Sequence, residues 1–368
     1  MKKFIIGAGA ALLCGSTYAQ SSVRLYGLID QSIRYQSSSS TSSHSFVGVN
    51  EGPINGNRFG FKGSEDLGGG LAAIFDLQAG YNIANGKSDQ QSQLFGRYSW
   101  VGLQSNTYGS LKLGRQYGGM FNFYAFHFDP IGGGNINSTD WELFITGIRF
   151  DNTAQYDTRV GPISISLQHS FGNQAGSFGS GGTTFGSAIY TFSTGSVGIA
   201  ATQSEDAGGR KLRVGSFGGT VNVGQFGLYI YGIDAQRDAG FSVAGTNTGG
   251  ALSNANIVSN AITASGPQTD KRTDLFARVG ATYQPGPLWK FIVSYAYDHA
   301  KNAAPGSNGM IQTVYGMADY ILSKRTDVYL EIDRSHLSGA SVNDPNGPLT
   351  FSGERNNLGA GLSLRTVF

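Results

Sequence analysis

The 368-residue sequence holds one cysteine, nine prolines and five histidines. With a single thiol it can form no internal disulfide, and it has no Cys/His ligand set for a structural metal. Charged residues make up 14% of the chain, well below the roughly 25% of a typical soluble domain. Beyond the first two dozen positions no apolar run approaches the ~18 residues of a spanning helix, which excludes a helical membrane protein. His44, His127, His169, His299 and His336 stand in no catalytic motif, so neither nucleophilic nor metal-assisted catalysis has a recognisable constellation. Few prolines beside many aromatic and β-branched residues argue against a disordered chain. No cofactor is expected.

What is abundant is glycine, at 56 positions, with 18 tyrosines and 23 phenylalanines. The N-terminus reads as an export signal: Lys2 and Lys3 precede an apolar stretch over 4–14, and Thr17 and Ala19 supply the small residues of a cleavage site. Residues 1–19 are therefore expected to be a leader and 20–368 one mature domain. Cys14 follows Leu13, where lipoprotein processing wants a small residue. Removal of the leader takes the only cysteine and two lysines, leaving 24 basic against 24 acidic side chains. A neutral exported chain has no basic footprint for nucleic acid.

From Val23 onward, segments of about ten residues alternate apolar with polar or small side chains. In 149–159, Arg149, Asp151, Thr153, Gln155, Asp157 and Arg159 share one parity, while Phe150, Ala154 and Tyr156 take the other. A strand sends these sets to opposite faces. One strand cannot tell a soluble sandwich from a membrane barrel; the set can. Strands are expected over 23–35, 56–66, 70–82, 93–105, 109–117, 149–160, 162–171, 183–192, 196–204, 210–220, 225–236, 272–284, 289–300, 310–322, 326–336 and 355–367, with no amphipathic helix. Sixteen is even, as a bacterial outer-membrane barrel requires, and short turns alternate with long connections at 36–55, 118–148, 237–271 and 337–354. The expectation is an all-β, transmembrane, antiparallel sixteen-stranded barrel. Tyr35, Tyr81, Tyr190, Phe192, Tyr229 and Tyr231 fit its interfacial girdles.

Specific strings support this. Leu25-Tyr26-Gly27-Leu28-Ile29-Asp30, the run from Asn57-Arg58-Phe59-Gly60-Phe61-Lys62 to Leu71, Leu113-Gly114-Arg115-Gln116-Tyr117 and the terminal Phe368 resemble Gram-negative general diffusion porins of the betaproteobacterial and neisserial branch. The resemblance runs from the first strand to the last. It implies a homotrimer in outer-membrane lipid, passing ions and small hydrophilic solutes through a pore narrowed by an inward-folded third loop. The 118–148 segment departs from that family in its aromatic content: Phe121, Phe123, Tyr124, Phe126, Phe128 and Trp141.

The constriction is expected where that loop faces Arg58, Arg97 and Arg149. Parity turns Arg58 and Arg149 to the lumen, since a basic residue at the lipid midplane costs roughly 2–4 kcal/mol; Arg97 is placed there by the resemblance. Lys62 shares Arg58's parity and is expected to join the group. Clustered guanidinium groups repel by up to a few kcal/mol per close pair at an effective dielectric near 20. The loop acids Asp129, Asp140 and Glu142 are expected to face them, with Asp76 and Glu331 moderating the wall and a weak anion preference remaining. An outer-membrane barrel enzyme or a surface adhesin is the alternative, but no catalytic motif or fixed-period repeat supports either.

Overall fold

The computed structural model describes residues 21–134, 141–244, 249–259, 262–263 and 266–368. The expected leader and Asp140 lie outside them. Sixteen long strands can be followed: β1 (Ser22–Gln36), β2 (Arg58–Gly68), β3 (Leu71–Gly80), β4 (Tyr98–Ser105), β5 (Gly109–Tyr117), β6 (Arg149–Val160), β7 (Ile163–Ser170) and β8 (Thr183–Phe192). Then come β9 (Gly195–Glu205), β10 (Lys211–Val223), β11 (Phe226–Arg237), β12 (Arg272–Tyr283), β13 (Trp289–Ala304), β14 (Ser307–Ile321), β15 (Thr326–Gly339) and β16 (Asn356–Val367). Each pairs antiparallel with the next, and β16 returns to β1 from Leu28↔Val367 to Gln36↔Gly359. Phe368 completes the closure, exchanging backbone hydrogen bonds of 3.0 Å with Gly27 in both directions. A closed ladder leaves no strand edge, the condition for crossing lipid with strands.

The faces are inverted relative to a water-soluble protein. On β15, Leu330 and Ile332 are 59% and 55% exposed to the outside, while Glu331 and Asp333 are each 1% exposed on the inside. Apolar side chains at such positions need a hydrocarbon surround. At the short-turn end an outward ring ladder runs along β11–β14: Phe226 on Tyr283 at 4.6 Å, Tyr283 on Phe291 at 6.3 Å, Trp289 on Phe291 at 5.7 Å and Trp289 on Tyr320 at 4.8 Å. It is one arc of an interfacial girdle. Tyr231, expected in that girdle, instead points inward and is fully buried. Tyr229 shares its parity, because Leu228 and Ile230 between and beside them are the outward pair.

Each expected strand has its counterpart, and the long connections leave one end. The 67–70 hairpin shows why the other end is tight. Gly68, Gly69 and Gly70 all take positive φ (82°, 62° and 79°), a run that side-chain-bearing residues resist. Three details differ from expectation. β4 begins at Tyr98 rather than 93, because Gln90, Gln91 and Ser92 adopt left-handed φ of 49°, 58° and 62°. β13 and β14 extend to a tight turn at 305–306, past a register shift between Ala300 and Ala304. Within the expected loop 36–55 a short strand, Phe46–Glu51, pairs with residues 31–36 of β1. The chain also contains a helix, α1 (Gly119–His127). It is apolar on nearly all sides rather than amphipathic, with most of its residues buried and Phe126 and His127 exposed.

Candidate functional site

The main apolar cluster lies between the 118–148 connection and the inward face of the wall. Glycines on that wall make the seats. A Cβ on Gly218 of β10 would overlap the Phe128 ring, and one on Gly198 of β9 would press on Phe123. Tyr124 stacks on Tyr231 at 5.3 Å with planes 7° apart, and Trp141 meets Phe276 edge-on at 5.1 Å. The Trp141 indole donates to Thr313 Oγ1 at 3.1 Å, satisfying the one polar atom of a fully buried side chain. The unusual aromatic content of the loop thus has a physical role: its rings fill the space over small wall residues.

The loop acids do not face the arginines. Arg278 of β12 reaches Asp129 Oδ1 at 3.2 Å and Glu142 Oε2 at 3.3 Å, and Tyr231 donates its hydroxyl to Glu142. Glu142 is fully buried, and burial pushes its carboxyl up to about 6 although Arg278 pulls the other way. The expectation of an acidic loop facing a basic wall fails for these two residues. Burying an acid under the loop requires a cation behind it, and Arg278 supplies that cation. Asp140 lies outside the described residues.

The three expected arginines do come together. Arg97 and Arg149 both donate to the Tyr117 hydroxyl, at 2.6 and 2.9 Å, and lie 5.9 and 4.4 Å from the centre of its ring. Arg97 Nε also donates to Gln78 Oε1 at 2.9 Å. Arg58 is close enough for its charge to be felt by both Arg97 and Tyr117. Among the described residues no carboxylate lies within ion-pair distance of these three guanidinium groups. Their neighbour Arg115 differs, bonding Asp151 Oδ1 at 2.6 Å. Lys62 does not join them. Four positions along β2 is roughly 13 Å, and its ammonium sits 4.8 Å over the Tyr26 ring midway along the strand. Asp76 takes the Tyr26 hydroxyl, and Glu331 is neutralised by Arg34, which also binds Asp333.

A membrane barrel whose loop lines its inner wall and whose opposite wall presents a cationic cluster now has a family to be set against. Residues 7–340 match the Gram-negative porin family. The chain belongs to that family. This porin is 37% identical over 173 residues to an outer membrane porin protein of Bordetella pertussis, a stretch covering 43% of this chain and 45% of the relative. It is 29% identical over 188 residues to the major outer membrane protein P.IB of Neisseria meningitidis serogroup B, covering 49% and 53%. The matched stretches thus span about half the length of these relatives. The anion-selective porin from Comamonas acidovorans superimposes with a TM-score of 0.74 at 21% identity, over 95% of this chain and 100% of that one, and so shares the fold. The family and the barrel place the porin in the outer membrane.

Sequence reasoning missed two acids that do stand near the arginines. Glu51 ends the short strand, and Asp89 lies in the connection after β3; both feel the charges of Arg97 and Arg149. Burial raises the Asp89 carboxyl and the two arginines oppose it. A signal for Glu51 existed, since Val47 and Val49 alternate with Gly48 and Asn50 in the stretch taken for loop. Tyr117, the shared acceptor, carried no signal beyond its string.

Proposed function

We propose that this porin is a passive, water-filled channel for ions and small hydrophilic solutes, with no catalytic step. The 118–148 loop narrows the lumen, and Arg58, Arg97 and Arg149 form the cationic side of the constriction. The observation that carries the reading is a polar, inward-facing wall bearing guanidinium groups that have no carboxylate within ion-pair distance among the described residues, inside a barrel with an apolar exterior. Such a wall lowers the electrostatic cost of an anion in the narrowest section and raises that of a cation. A weak anion preference follows, in keeping with the anion-selective porin of the same fold. Lys62 adds positive charge along the wall below the arginine cluster rather than within it.

A homotrimer is the proposed assembly, and trimeric porins are among proteins sharing the fold. The outward faces of β4 and β5 carry aliphatic Val101, Leu103, Leu111 and Leu113, away from the ring ladder of β11–β14. Aliphatic surface of this kind suits contact with a second copy. Residues 1–19 are proposed to be a cleaved leader.

The test is single-channel recording of purified protein in a planar bilayer, with the reversal potential read under a salt gradient. Ohmic steps that close in thirds, with a reversal potential on the anion side, are expected. A folded barrel that gives no steps would overturn the reading.

A further inference from the structure

The connection between β1 and β2 enters the lumen as well. β1 is paired in two stages: residues 22–28 with β2, and residues 31–36 with the short strand Phe46–Glu51. Between those partners, residues 52–57 leave the ladder. Ile54 is buried with Ile131 of the 118–148 loop and with Ile292, Tyr315, Met317 and Tyr329, inward side chains of β13–β15. An isoleucine on the lipid side could touch none of them. Asp30 is the anchor: its Oδ2 accepts from the Asn55 amide at 2.9 Å, and its Oδ1 accepts from the Tyr329 hydroxyl at 2.6 Å. The Gly52 amide donates to the Asp30 carbonyl at 2.8 Å, and a Cβ on Gly52 would overlap the Asp30 carboxylate. The Asn57 side chain closes the segment, accepting from the Asp30 amide at 2.8 Å.

We propose that 52–57 is a second constricting arm, pinned by Asp30, and that Glu51 at its root is the acid set against the arginine wall. The inference rests on the channel reading above. The 118–148 loop covers the wall from β8 to β14; the arm covers it where that loop ends, beside β15 and β1. On the side that carries Arg58, Arg97 and Arg149 the loop leaves a small cavity. Glu51 and Arg149 line one cavity of about 80 Å³ with Arg97, Gly52 and Gly134. A methyl group on Gly56 would lie 3.0 Å from Arg97 Nη1 and 3.6 Å from Glu51 Oε1, so both charges approach one point. Glu51 is held there by the Asn57 amide, which donates to Oε1 at 3.0 Å. Glu51 thereby takes the role that Asp129 and Glu142, paired to Arg278, do not fill.

The experiment uses the full-length porin and three variants in planar bilayers. Glu51→Gln keeps an acceptor for the Asn57 amide and removes only the charge. Its anion-to-cation permeability ratio should rise about two- to threefold, the effect of one charge roughly 7 Å away in water screened by about 0.1 M salt. Asp30→Asn can accept only one of the two bonds that Asp30 accepts, so the arm should loosen and unitary conductance rise. Asn55→Cys puts a thiol on the arm of a mature chain that has none. A trimethylammonium methanethiosulfonate should then lower its current in discrete steps. An unchanged permeability ratio in conducting Glu51→Gln channels would overturn the role of Glu51. Conducting Asn55→Cys channels that ignore the reagent would overturn the arm. If the unsubstituted protein does not conduct, the channel reading fails first, and the two failures are thereby distinguished.

Discussion

Arg149 and Arg278 are the same residue on opposite walls of one barrel, and their surroundings make them different devices. Arg278 lies under the 118–148 loop, bonded to Asp129 and Glu142 and fully covered. Arg149 is 6% exposed beside a small cavity, and among the described residues its side chain bonds the Tyr117 hydroxyl. A covered cation must be neutralised by fixed acids, or the loop cannot seat. A cation beside a cavity with no fixed acid bonded to it can be served by solvent and mobile anions, and on the proposed reading its charge stays available to what passes. On the proposed reading the loop therefore does more than narrow the pore. By claiming two acids for its own docking, it leaves the facing wall positive.

The contrast is broken most severely by giving both walls the same substitution. Arg278→Met should leave Asp129 and Glu142 buried without their cation and cost about 3–5 kcal/mol. Chemical unfolding in detergent micelles, followed by intrinsic fluorescence, would show it. Arg149→Met in the same assay should change stability little, and a large loss there would erase the distinction between the walls. Next in size is the seat itself. Gly218→Leu places a side chain where Phe128 sits, and overpacking of this kind costs about 1–3 kcal/mol. The loop should be displaced from β10, which altered unitary conductance in a planar bilayer would report. A variant with native conductance and stability would mean that the ring does not need that glycine.

Smaller in energy but closer to function is selectivity. Arg149→Met should lower the anion-to-cation permeability ratio about two- to threefold, the weight of one charge several ångströms from the ion path. The effect should shrink as salt is raised, since screening shortens the reach of a charge. Reversal potentials at two ionic strengths provide the check. A ratio that does not move would assign the cationic character to Arg58 and Arg97 alone.

The barrel was legible because a strand's two faces are written with period two and lipid outside forces one of them to be apolar. The inward placement of Glu331 is such a reading, and it holds in three dimensions, with Leu330 and Ile332 outside. The arginine wall was legible for the same reason, helped at Arg97 by the family strings. What failed was everything carried by side chains meeting across the lumen. No periodicity links Glu142 to Arg278, which are 136 positions apart; loop acids near a basic wall look alike in sequence whether they face it or are consumed elsewhere. Tyr231 misled for a related reason: an aromatic near a strand end suits a girdle, but its parity already pointed inward. The arm at 52–57 was hidden because a segment that leaves the ladder has no pattern of its own.

The smallest expected effect comes from protons. Burial holds the Glu142 carboxyl at about 6, above its ordinary 4.5, so the folded protein binds this proton more tightly than the unfolded chain does. The resulting stabilisation is complete below the ordinary value and fades as pH rises through about 6. Unfolding midpoints should therefore be higher at pH 4.5 than at pH 7.5 by an amount that Glu142→Gln removes. The variant isolates this carboxyl from the other acids of the lumen. In selectivity the sign is the same as that of adding positive charge. Protonated Glu142 leaves Arg278 partly uncompensated behind the loop, so the anion preference should increase slightly on acidification. If Glu142→Gln keeps the full pH dependence of both midpoint and reversal potential, the acid responsible lies on the open side. Glu51 and Asp89, beside the arginines, would then be the residues to titrate.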